Sequence, residues 1–287
     1  MAECAFPVFK TILKESAIMS ERIQVGFLGA GNMGAAIMKG IAASDLADSV
    51  ALYAYNPTRS KVEALADEGV KAVDSEAELV SACQYVFLAI KPQKFEAVLP
   101  KLKDAVTEQT VLISIAAGIS GAYIQEQIGF PVKVVLAMPN TPLLLRGGAT
   151  ALAPIAPVSD SEFQFVQQIF NACGKTAVLQ PDEMQKIIAI NGSSPAFIYL
   201  YAKGFFTYAQ QAGLDETVTK DLLVQSLIGA AKMIADSGYD IDTLIRQVSS
   251  PGGTTLAGLD RLYEGNLVDV VVSCCESCTK RAEELSK

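Results

Sequence analysis

The residues whose spacing most clearly permits chemistry lie where the apolar run Ile23–Leu28 enters Gly29-Ala30-Gly31-Asn32-Met33-Gly34. A G-x-G-x-x-G spacing that follows a strand and opens a helix is a pyrophosphate cradle. Gly29 permits the tight turn, Gly31 lets the backbone approach the ligand, and Gly34 lets helix and strand pack closely. The unpaired N–H groups and positive dipole end of the helix then face the phosphates. Leu28, Gly29, Ala30, Gly31, Asn32, Met33 and Gly34 are therefore the expected dinucleotide contacts.

The end of the second strand selects the cofactor. Asp or Glu there bonds a ribose 2′-hydroxyl and repels a 2′-phosphate. This chain reads Asn56-Pro57-Thr58-Arg59-Ser60-Lys61. Neutral donors at Asn56 and Thr58, followed by the cations Arg59 and Lys61, suit the extra phosphate. NADP is the expected cofactor, with NAD as the alternative. Thr58 also fits an ordinary N-cap. Ligands bind beyond the carboxyl ends of parallel strands, which adds Ala89-Ile90-Lys91-Pro92 and Ala116-Ala117-Gly118 to the crevice. Lys91 reads either as a catalytic cation or as a positioning residue.

Two later segments, Asn191–Pro195 and Ser249–Thr255, place hydroxyls and backbone amides at helix starts. Each reads as a carboxylate cradle or as a simple cap. The chain contains no histidine, the side chain best suited to acid–base work near neutrality. Lactate- and malate-type dehydrogenase chemistry is thereby excluded. Proton transfer falls to Lys, Tyr, Asp, Glu, a hydroxyl or water.

The elements that position these residues alternate. Strand-like runs occur at Ile23–Leu28, Val50–Tyr55, Tyr85–Ile90, Val111–Ile115 and Val132–Ala137, with helix-like stretches such as Ala35–Ala43 and Arg59–Glu68 between them. Apolar, β-branched strands spaced by helices describe a parallel sheet covered on both faces. Strands near Thr150–Pro154 and Thr176–Leu179, flanking a helix at 160–172, extend it. After Pro181 the strand signal ends. Pro195–Gln211 is apolar nearly all round, and Thr219–Ala235 is rich in Ala, Leu and Ile. A helix without a polar face must be buried on every side, so an all-helical second domain whose core a partner subunit completes is expected. The expected fold is a doubly wound Rossmann α/β domain over 22–180 and an all-α dimerisation domain over 181–287.

Composition sets further bounds. A net charge of −8 argues against a nucleic-acid partner. No run of eighteen uncharged apolar residues is present, so no membrane span is expected. Six cysteines, at 4, 83, 173, 274, 275 and 278, lack a paired framework and read as reduced thiols of a cytoplasmic protein. Cys274, Cys275 and Cys278 form half a metal site with no second half, and no metal is expected. Residues 1–21 read as an N-terminal extension, not a signal peptide, because Lys10 and Lys14 interrupt the apolar stretch.

Taken together, the segments GFLGAGNMG, AYNPTRS, VFLAIKPQ, ISIAAGI, AMPNTP, NGSSPAF and SSPGGTT closely resemble the pyrroline-5-carboxylate reductase family, in order and spacing, over residues 22–285. The resemblance implies reduction of 1-pyrroline-5-carboxylate to L-proline by hydride from NADPH or NADH. It implies homodimers through interlocking C-terminal helices, and rings built from them. It carries Gly253, Thr254 and Thr255 over as the clamp for the substrate carboxylate, with Ser193 beside the substrate. Thr255 carries over as the residue that orients the substrate for reaction, and the loop is expected to face the nicotinamide. The cofactor contacts above carry over as well. The sequence departs from the family pattern at Asn191 and Ser194, at Gln185-Lys186-Ile187, and at Leu136, where Arg is usual. Competing readings are a β-hydroxyacid dehydrogenase, whose lysine and asparagine Lys186 and Asn191 imitate at the wrong spacing, and a non-catalytic NADP-binding regulator. Tyr199 and Lys203 match the Tyr-x-x-x-Lys of short-chain dehydrogenases by chance, within the apolar helix.

Overall fold

The computed structural model describes residues 22–285. The expected N-terminal extension, 1–21, lies outside the described residues. The chain divides between Gln185 and Lys186 into two compact units.

Among the described residues, the first unit is built on eight strands and six α-helices. They run β1 (Ile23–Leu28), α1 (Asn32–Ala42), β2 (Val50–Tyr55), α2 (Ser60–Glu63), β3 (Lys71–Ala72), α3 (Glu76–Ala82), β4 (Tyr85–Leu88) and α4 (Phe95–Leu102). After them come β5 (Val111–Ser114), α5 (Gly121–Ile128), β6 (Lys133–Met138), β7 (Gly148–Ile155), α6 (Asp160–Asn171) and β8 (Gly174–Val178). The strands form one sheet in the order β3-β2-β1-β4-β5-β6-β7-β8. Its first six positions follow the 3-2-1-4-5-6 order of a dinucleotide-binding fold. The order reverses beside β1, so the β1–α1 turn opens at the switch point.

Strands β1 to β6 pair in parallel, whereas β7 runs antiparallel to β6, Leu136 facing Ala153. The last two strands extend the sheet as expected, with a reversal at β7 that the sequence pattern leaves unspecified. The link from Met138 to Gly148 holds only a 3₁₀ turn, Thr141–Leu145. A parallel return needs a crossover of about a dozen residues or more. Strand β3 gave no sequence signal because two residues carry no period. The helix expected over Arg59–Glu68 is broken into α2 and a 3₁₀ turn, Ala66–Glu68, closed by Gly69 in the left-handed region.

The core explains the near-continuous apolar strands, since both sheet faces are covered. Phe27 and Phe87, from adjacent strands, stack with ring centroids 4.4 Å apart, and Phe170 of α6 packs on Phe87 at 5.8 Å. Ile37 and Ile41 of α1 are fully buried against the same cluster.

The second unit is helical: α7 (Ser194–Gln211), α8 (Glu216–Asp236), α9 (Ile241–Gln247), α10 (Thr254–Glu264) and α11 (Leu267–Leu285). A π-helical turn, Ile188–Gly192, precedes α7. Helix α7 is not buried on every side within the single chain. Only Pro195 and Ala209 of α7 are buried, and no residue of α8. Leu200 and Leu222 stand 70% and 66% exposed, and Tyr199 is exposed as well. Among the described residues, no helix is long and apolar enough to cross a membrane.

One buried polar contact ties α6 to the sheet. Glu162 completes a capping box with Ser159 and accepts a hydrogen bond from Lys133 Nζ at 2.6 Å. Burial pushes its carboxyl pKa up, but the bonds from Lys133 and from the Ser159 amide and hydroxyl outweigh this and hold it below the usual value. A carboxylate depressed in the folded state contributes stability above its unfolded pKa and loses it as pH falls through the folded one. Glu162→Gln should therefore destabilise the protein by about 1–3 kcal/mol at pH 7. The difference from the parent in urea unfolding should shrink as the pH is lowered through the carboxylate range.

Candidate active site

Three strand ends meet at the glycine turn. Gly29 N–H donates to Tyr55 O of β2 at 2.8 Å, and Ala89 N–H donates to Leu28 O of β1 at 2.9 Å. The turn is thus held between the ends of β2 and β4. Gly29 has φ +110°, and a Cβ there would lie 2.4 Å from Ala89 O. A Cβ on Gly34 would lie 2.6 Å from Gly29 O. Both glycines are demanded by backbone packing within the protein.

Gly31 differs. It is the N-cap of α1 with φ −77°, which any residue adopts, and a Cβ there would meet no protein atom within 4 Å. Helix α1 starts with no side-chain cap and no acidic residue in its first turn. Its first amides are thus left to an anion. An uncapped helix start, with open space above a glycine the protein itself does not require, fits a pyrophosphate group. Asn32 is exposed, while Leu28 and Ala30 are buried and Met33 half-buried, so the latter three shape the turn mainly through their backbone.

Asn56 links the glycine turn to the ribose end. Its Oδ1 accepts from Ala30 N–H at 3.3 Å, and its Nδ2 donates to Thr58 O at 3.0 Å. Thr58 does not act as the side-chain N-cap allowed for in the sequence. The chain is already helical at Arg59 (φ −54°, ψ −37°), and the Thr58 carbonyl, not its hydroxyl, takes Lys61 N–H at 3.1 Å. Arg59 is exposed but engaged: its Nε donates to Glu63 Oε1 at 3.1 Å and its Nη1 to Asp74 Oδ1. The hydrogen bond to Asp74, then that to Glu63, raises the guanidinium pKa above its ordinary value. Sequence reasoning missed Asp74. It follows a two-residue strand, fifteen positions from Arg59, and no motif marks it.

The remaining contacts expected from sequence leave neighbouring strands. Leu88 pairs with Ser114 across β4 and β5, so Ala89–Pro92 and Ala116–Gly118 leave adjacent strand ends. Ser114 Oγ accepts from Ala116 N–H at 3.4 Å. Ala117 is exposed, and Ile90 and Gly118 are half-buried. Lys91 is exposed and extended (ψ 144°) ahead of Pro92, which opens a 3₁₀ turn, Pro92–Lys94. Leu136 is buried inside the sheet, where it packs as a core residue. Burial pushes the Cys83 thiol up to about 12 and the Cys173 thiol up to about 11, which makes both poor nucleophiles. Among the described residues, no group of three His, Cys, Asp or Glu side chains could hold a metal.

In the helical unit, Ser193 follows the π-helical turn, and its Oγ lies 3.2 Å from Cys278 Sγ of α11. Gly253 is the N-cap of α10, without a side-chain cap and with no acidic residue in the first turn. Its amide donates to Ser250 O at 2.9 Å. Thr254 and Thr255, in the first turn of that helix, are both exposed.

This geometry agrees with what the chain is similar to. Residues 181–285 match the family model described as pyrroline-5-carboxylate reductase dimerisation, and residues 24–118 match that of NADP oxidoreductase, coenzyme F420-dependent. The pyrroline-5-carboxylate reductase of Escherichia coli (strain K12) is 31% identical over 265 residues, covering 92% of this chain and 98% of its own. The chain belongs to the pyrroline-5-carboxylate reductase family. Another member, from Pasteurella multocida, is 34% identical over 91% of this chain and 97% of its own. The solved pyrroline carboxylate reductase of Plasmodium falciparum, with NADP bound, superposes with a TM-score of 0.85 at 28% identity, over 93% of this chain and 99% of its own.

The glycines of this reductase-family turn should separate by substitution. Gly31→Ala should leave thermal stability unchanged and weaken dinucleotide binding about tenfold or more, as titration of nucleotide fluorescence would show. Gly34→Ala should destabilise the fold by about 1–3 kcal/mol, because the new methyl meets backbone.

Proposed function

We propose that the protein reduces 1-pyrroline-5-carboxylate to L-proline, using NADPH with NADH as a second donor. Membership of the reductase family over more than nine-tenths of the chain carries this reading. The uncapped α1 start, with its open Gly31, gives it a physical basis.

Held at Leu28–Gly34, the cofactor would supply the hydride that reduces the protonated imine to a secondary amine. A protonated imine is already electrophilic, so the chain's task is chiefly alignment. Orientation alone can supply of order 7–11 kcal/mol of a barrier. Leu28–Gly34 hold the phosphates on backbone amides, with Asn56, Thr58 and Arg59 at the ribose end. Ala89–Pro92 and Ala116–Gly118 present small, backbone-lined surface to the nicotinamide. Gly253, Thr254 and Thr255 hold the substrate carboxylate at the α10 start, where amides and hydroxyls are free of acidic neighbours. Thr255 fixes its direction, and Ser193 lies beside it. No side chain needs to act as a general acid, which suits a chain without histidine.

The helical unit acts as a dimerisation domain, and rings of dimers extend from it. Exposed apolar side chains along α7 and α8 support this, as does the family model spanning that unit. Reduced thiols support a cytoplasmic location.

Purified protein should oxidise NADPH in the presence of pyrroline-5-carboxylate and should not reduce NADP with 3-hydroxy acids. No turnover of the imine despite NADPH binding would sink the proposal. Thr255→Ala should lower kcat/KM for the imine about 10- to 100-fold, the worth of a hydrogen bond to a carboxylate, with NADPH affinity unchanged. Light scattering should give at least twice the mass of one chain.

A further inference from the structure

Asn56 to Lys61 read as an NADP-type strand end because no carboxylate stands there. The fold supplies one from elsewhere. Val73 N–H donates to Ala54 O of β2 at 3.1 Å, so the chain leaving β3 passes along the same sheet edge as the end of β2. The next residue, Asp74, reaches Arg59. Its position is set locally: Asp74 N–H donates to Glu78 Oε2 at 2.8 Å, and Glu78 N–H donates to Ser75 Oγ at 3.1 Å at the capped start of α3. Glu63 takes the other edge of the guanidinium.

The cation aimed at a 2′-phosphate is therefore already bridged by two carboxylates. We infer that Asp74 is a specificity-determining residue: it competes with the cofactor's 2′-phosphate for Arg59 and so narrows the preference for NADP over NAD. The inference rests on the proposed dinucleotide site. A 2′-phosphate must draw Arg59 away from Asp74. A 2′-hydroxyl makes no such demand, so NAD leaves the bridge undisturbed. The ion pair is solvent-exposed and worth only a fraction of the attraction between Arg and a phosphate dianion. It dampens selectivity without abolishing phosphate binding.

The test is equilibrium binding of NADP⁺ and of NAD⁺ by calorimetry to the parent protein and to Asp74→Asn. Asp74 is exposed, so the variant should keep the parent melting temperature. The proposal expects NADP⁺ to bind about three- to fivefold more tightly to Asp74→Asn, with NAD⁺ affinity changed less than about twofold. Adding Arg59→Ala to Asp74→Asn should erase the gain. Unchanged or weakened NADP⁺ binding to Asp74→Asn would overturn the proposal, because Asp74 would then be inert or would serve to position Arg59. A gain that persists without Arg59 would also overturn it. Failure of the parent to bind either dinucleotide would instead remove the cofactor reading beneath it.

Discussion

The nucleotide half of the molecule depends on one close approach, between the turn that leaves β1 and the backbone that leaves β4. The space a Gly29 side chain would fill is taken by the Ala89 carbonyl, and the space beside Gly34 by the Gly29 carbonyl. With hydrogen bonds to β2 on one side and β4 on the other, the turn has no freedom to relax. Helix α1 must then start directly above the sheet, with its amides pointing out past Gly31. The proposed anion site follows from backbone packing and needs no charged side chain. A chain carrying −8 could offer a phosphate cradle on that basis.

The proposed ribose end works on a different principle. Recognition there would rely on side-chain charge, and charge in water is easily offset by neighbours. Arg59 meets Glu63 on its own helical turn and Asp74 from the next strand. The glycine turn is held by packing that tolerates little change, whereas Arg59 stands in an adjustable balance of exposed charges. The two halves of the proposed cofactor site thus differ in how readily substitution can retune them.

The helical unit lacks the constraint that organises the sheet. Its long helices carry apolar residues on faces that the chain itself does not cover, and α8 buries no residue at all. Exposed apolar surface on this scale is unfavourable in water at about 25 cal/mol per Å². The exposed faces are in keeping with the unit's match to a dimerisation model. The loop proposed to hold the substrate carboxylate, at the α10 start, lies in the same unit.

Much of this was legible in the sequence alone. The bounds of β1 and β2 coincide with their apolar runs, β1 buried through its last four residues and β2 alternating buried and half-buried. The glycine spacing and the hydroxyl-rich helix starts are local features, and local chemistry is written in consecutive residues. Sequence could not show that β7 turns back antiparallel, because direction depends on the length and path of a connection. The all-round apolar pattern of α7 did announce a need for burial that the single chain does not meet. The pairing of Asp74 with Arg59 came only from tertiary structure. It joins residues fifteen positions apart, and a two-residue strand leaves no period to announce it. What the sequence determined by itself was the glycine turn between a strand and a helix, the α/β-then-α layout and the family. What only the folded chain decided was which charges stand beside Arg59, because through-space electrostatics depends on distance between elements and not on their order.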